Sequence, residues 1–92
     1  MNEDTYTDLD ACRLSTGCPA RDRDWGNLIA VIESGKPVKK PVQIRLIHAA
    51  GRYMRHQYEL WYAAAAWYDA VVSDLDDTAE RAHLLAVIRK FL

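Results

Sequence analysis

The apolar positions of this chain recur at helical spacing almost wherever they cluster. In "DWGNLIAVIE" they fall at Trp25, Leu28, Ile29 and Ile32, with Val31 on the flank, which places them on one face of a helix. The pattern predicts a first helix from Pro19. A proline in the first turn lacks only a donor that would have no intrahelical acceptor, and Asp22 and Asp24 suit the positive end of the helix dipole. Ser34, Gly35 and Pro37 terminate this helix, and Pro41 can open the next.

From residue 41 to residue 74 only Gly51 interrupts the pattern. One long central helix is predicted, about nine turns and ~50 Å if unbroken, with Gly51 as the place for a bend or a close crossing. A last helix is expected to open with Asp76 or Asp77 as its cap and Glu80 in its first turn. Its expected apolar face is Ala82, Leu85, Ile88 and Leu92, widened by Leu84, Val87 and Phe91. The architecture implied is all-α: a small three-helix bundle with one long central helix, or a four-helix one if residues 9–14 form a short helix. Residues 19–92 form a single helical domain, and residues 1–18 an acidic arm.

Phased as one helix at about 100° per residue, the central segment sorts its residues into two sides. Arg45, His48, Arg52, Arg55, His56 and Glu59 share one side, whereas Ile47, Ala50, Trp61, Ala64, Ala65 and Tyr68 lie opposite. Past Leu60 the division fails. In "ELWYAAAAWYD" the side due to face water holds Ala63 and Ala66, with Trp67 at its edge and Tyr62 beside it. A helix apolar all round is usually buried all round, and two short neighbours cannot cover one so long. Trp61, Ala64, Ala65, Trp67 and Tyr68 are therefore the expected self-association seam, alanines allowing close approach and aromatics supplying area. The overlapping expectation is that Trp61 and Trp67 complete an internal core with Trp25, Leu85 and Ile88.

Composition leaves room for one domain only. At 92 residues, half of them hydrophobic, the chain has the make-up of a folded protein. The net charge of −1 conceals a cationic middle between acidic ends. Residues 1–18 set Glu3, Asp4, Asp8 and Asp10 against Arg13, and residues 41–58 carry three arginines and no acid. Arg45, Arg52 and Arg55 with Tyr58 and Tyr62 form an expected partner-binding surface of the residue types that dominate interfaces. The alternative use is phosphate contact by Lys36, Lys39, Lys40, Arg45 and Arg52, which makes nucleic acid the second candidate partner.

Chemistry is poorly represented. His56 and Glu59 stand three apart among arginines, in His-x-x-Glu order and only once, unlike the repeated Glu-x-x-His of a helical metal site. Cys12 and Cys18 form neither a zinc knuckle nor a Cys-x-x-Cys pair, and two free thiols are expected. No nucleophile elbow or phosphate loop is present. No cofactor, metal site or catalytic residue is expected. "MNEDTYTDLD" lacks the basic region and apolar run of a signal peptide, so a cytoplasmic protein without membrane contact is expected. The function implied is a non-catalytic protein-binding module, a small inhibitor, adaptor or regulatory subunit that also forms a homodimer. A nucleic-acid-binding regulator and a purely structural homodimer are the alternatives.

Overall fold

The computed structural model of the chain describes residues 19–54 and 57–91. The N-terminal arm with Cys12 and Cys18, and Arg55, His56 and Leu92, lie outside the described residues. Four helices follow in order: α1 (Pro19–Ser34), α2 (Lys40–Gly51), α3 (Tyr58–Val72) and α4 (Thr78–Phe91). No strand occurs among the described residues, and the all-α bundle read from the sequence is the fold observed.

Each helix packs against its neighbours in sequence, and α4 returns to α1, which closes a ring of four. Short connections make successive helices antiparallel. The core runs down the middle: Trp25, Leu28 and Ile32 from α1, Ala50 from α2, Leu60, Ala63, Ala64 and Trp67 from α3, and Leu84, Val87 and Ile88 from α4.

The single long central helix is corrected: α2 ends at Gly51, and a separate helix, α3, begins at Tyr58. After Gly51 the chain tightens into i to i+3 turns: Tyr53 N–H donates to the Ala50 carbonyl (3.2 Å) and Met54 N–H to that of Gly51 (2.9 Å). Helix α3 then folds back along α2. A continuous ~50 Å rod would leave most of its apolar residues in water, whereas two antiparallel pieces bury them against each other and their neighbours. The fourth helix of the bundle is thus half of the predicted central one. The break also resets the helical phase: Ala63 and Trp67, expected on or near the wet side, face the core, and Tyr62 and Ala66 face water.

The helix boundaries have local causes. Gly35 takes a left-handed conformation (φ 67°) after α1, and Ser34 Oγ donates to the Val31 carbonyl at 2.7 Å. Asp74 does the same after α3 (φ 55°), and Leu75 N–H closes back onto Ala70 at 2.9 Å. Asp76 Oδ1 accepts from Thr78 N–H (3.1 Å) and Thr78 Oγ1 (2.7 Å) at the start of α4. These two bonds hold its carboxyl below the usual carboxylate range.

Asp77 is spent differently from the cap expected of it. Its carboxylate turns inward to accept from Trp67 Nε1 (2.9 Å) and Arg81 Nε (2.8 Å). The buried Arg81 guanidinium then reaches the C-terminal end of α1, donating to the carbonyls of Val31 (2.8 Å), Ile32 (3.2 Å) and Lys36 (2.6 Å). It also lies over the Trp67 ring, 5.4 Å from its centroid. One side chain therefore satisfies the carbonyl end of α1 from across the bundle. Its burial corrects the predicted face of α4: Arg81, Leu84, Val87 and Ile88 point inward, Ala82 is exposed and Leu85 only partly covered. Burial pushes the Asp77 carboxyl up, but the bonds from Arg81 and Trp67 and the charge of Arg81 outweigh it and hold the group low.

Candidate functional site

Folding α3 back on α2 creates an apolar groove on the side of the pair away from the core. Ile44, Ile47 and His48 form one wall, Trp61 and Tyr68 the other, and Ala64 and Ala65 the floor, around a volume of about 270 Å³. The alanines are why the hollow exists: a larger side chain at either position would fill it. His48 meets Trp61 edge to face, ring centroids 6.1 Å apart at 70°. Trp61 is seated at that end against Gly51, where a Cβ would collide with the indole.

Apolar surface continues beyond the groove. Ile44 is 41% exposed, and along α3 Tyr58 (69%), Tyr62 (76%) and Val72 (41%) stand in water. Contiguous exposed aromatic and aliphatic area of this kind marks binding surfaces, whereas single exposed hydrophobics do not.

Charge divides between the two walls. Helix α2 carries Lys40 and Arg45, with Arg52 just after it, and no acid; α3 carries Glu59 and Asp69 and no cation. Glu59 accepts from Lys90 of α4 at 2.9 Å. Arg52 Nε donates to the Ala49 carbonyl at 3.1 Å, and its guanidinium lies 5.8 Å from the Tyr53 ring. Among the described residues, Lys40, Arg45 and Asp69 take part in no ion pair. The Tyr53 hydroxyl is pushed up by burial and then by the charge of Asp24.

The structure brings together Trp61, Ala64, Ala65 and Tyr68 of the sequence-derived seam. Trp67 is the correction: it is fully buried, bonded to Asp77 and packed under Arg81, so it belongs to the core. Arg45, Arg52, Tyr58 and Tyr62 are exposed on or next to the two helices that form the groove and do not line it, and Arg55 lies outside the described residues. Lys36, Lys39 and Lys40 are exposed at the N-terminal end of α2, with Arg52 at its other end, about 18 Å along the axis. Lys36 and Lys39 precede α2, Lys40 and Arg45 lie on it, and Arg52 follows it.

Sequence reasoning missed Ile44 and set His48 and Ile47 on opposite sides. Ile44, Ile47 and His48 form a strip at i, i+3 and i+4 whether α2 is a separate helix or part of a longer one, and it becomes a wall only because α3 lies back beside it. The break at residue 52 was the missing signal.

Among the described residues no three His, Cys, Asp or Glu side chains gather as metal ligands, and no helix is long and apolar enough to cross a membrane. No family model, curated protein or solved structure matches the chain.

Proposed function

We propose that this chain is a non-catalytic protein-binding module, in the role of a small inhibitor, adaptor or regulatory subunit, whose α2/α3 groove docks a helix of its partner. The observation that carries this reading is the groove itself: an open apolar trough floored by Ala64 and Ala65, with Tyr58 and Tyr62 exposed on α3. Helix-in-groove recognition needs such a trough, with a row of apolar anchors on the ligand at i, i+3, i+4 and i+7. Arg45 and Arg52 on the α2 side favour acidic residues along one edge of that helix. Self-association uses the same surface, and the protein acts in the cytoplasm.

The nucleic-acid reading draws its support from residues 34–58, which hold six Lys and Arg and no acid. Binding measurements with two labelled probes separate the readings: an amphipathic helical peptide with an acidic edge, and a random-sequence DNA duplex, each at low and physiological salt. Docking in the groove predicts that the peptide binds with modest salt dependence while the duplex dissociates at physiological salt. A duplex that binds with a steep salt slope, and a peptide that does not bind, would reverse the assignment.

A further inference from the structure

The groove sets requirements on its occupant: a helix of modest girth, an apolar face, and a carboxylate on the edge that meets Arg45 and Arg52. Helix α3 has them all. Its outward side shows Tyr58, Tyr62, Ala65 and Val72, and Asp69 is its one carboxylate outside an ion pair.

Resting on the reading that the groove docks a helix, we infer that a second copy of this chain occupies it, related by a two-fold axis running along the groove. That axis lays α2 of one copy over α3 of the other, so the cationic wall meets the acidic one twice. An axis across the groove would instead set α2 upon α2 and crowd cations together, a costly juxtaposition. Rotation about an axis along the groove keeps every residue at its own height. His48 and Trp61 mark one level. Because α2 and α3 are antiparallel, Arg45 lies toward the Asp69 level and Arg52 toward that of Tyr58. Arg45 of one copy therefore stands about 7.5 Å along the axis from Asp69 of the other, a span that its long side chain bridges, and Arg52 faces the ring of Tyr58, a favourable cation–aromatic pairing. The face spans two helices about 18–22 Å long and ~20 Å wide together, roughly 400 Å² per copy, against the ~800 Å² of a standard interface. The dimer is consequently weak and concentration-dependent, and a better-fitting partner helix displaces it.

Sedimentation of the full chain across a concentration series tests this. The mass should climb from 10.5 kDa toward twice that value, and Ala65→Glu, which places a carboxylate on the floor, should keep it at the monomer. Asp69→Arg and Arg45→Asp should each weaken association about tenfold or more, since either alone sets like charges face to face. An equimolar mixture of the two should recover it, because the mixed dimer has opposite charges at both contacts. Circular dichroism confirms that the variants fold. A chain monomeric at every concentration overturns the inference, as does a dimer indifferent to these substitutions or a mixture that fails to recover. A monomer that still binds the acidic-edged peptide would sink self-docking and leave the groove reading standing.

Discussion

Gly51 and Trp61 compete for the same space. A Cβ on the glycine would stand 2.6 Å from Cζ2 of the indole and 3.3 Å from Cζ3. The absence of a side chain lets α3 turn back close enough to α2 for Trp61 to become a groove wall. Fold and site meet at this contact.

Gly51→Ala should therefore destabilise the protein by about 1–3 kcal/mol, the usual cost of overpacking, despite the better helix propensity of alanine, worth about 1 kcal/mol. Chemical denaturation followed by tryptophan fluorescence measures both the loss and the altered setting of Trp61. A net gain in stability would mean that the contact is looser than described.

Arg81 ties three elements together, so its removal should be the costliest single polar change. Arg81→Met leaves Asp77 without its ion pair and the carbonyls of Val31, Ile32 and Lys36 without their donor. The expected loss is about 3–5 kcal/mol, typical of breaking one side of a buried pair. By contrast, Arg89→Ala, at the exposed Arg89–Glu33 bridge, should cost about 1 kcal/mol or less. Urea midpoints for the two variants check the contrast.

The pH dependence of stability has two named ends. The native carboxyl of Asp77 lies below its ordinary 3.8, so its contribution is present above that value and disappears as the pH falls through the lower native one. Asp77→Asn should flatten the acid limb. At the alkaline end Tyr53 lies above its ordinary 10.0: its contribution is complete below that value and is lost as the pH rises through the higher native one. Tyr53→Phe should flatten that limb, and thermal unfolding at a series of pH values shows both.

Much of the fold was legible because apolar spacing and helix punctuation are local properties. Trp25, Leu28 and Ile32 announce the buried face of α1, and Pro19 and Gly35 its ends. The break after Gly51 was less legible because its cause lies ten residues away, in an indole that needs the glycine's empty space. The groove inherited that error: its alanines and aromatics were recognised, but Ile44 and His48 join them only once α3 lies back on α2. Arg81 was overlooked for a related reason. The Asp77/Arg81 spacing is visible in the sequence, whereas the carbonyls it serves come from α1, some fifty positions earlier.

Gln43 contradicts its surroundings. It is fully buried on α2, and among the described residues neither the nitrogen nor the oxygen of its side-chain amide has a hydrogen-bond partner. Gln43→Leu, similar in volume, should raise stability by about 1–3 kcal/mol by removing a desolvated polar group. The shift in the urea midpoint tests this, and a loss of stability would show that the amide has a structural role.

The most direct test of the account is a backbone amide shift map of the labelled chain titrated with the acidic-edged amphipathic peptide, repeated with Ala65→Glu. The account predicts saturable shifts concentrated at Ile44, Ile47, His48, Trp61, Ala65 and Tyr68, and their loss in the variant while its helices remain intact. Shifts gathered instead around Lys36, Lys39 and Lys40, or a response unchanged by the carboxylate at position 65, would contradict the assignment of the groove as the docking site.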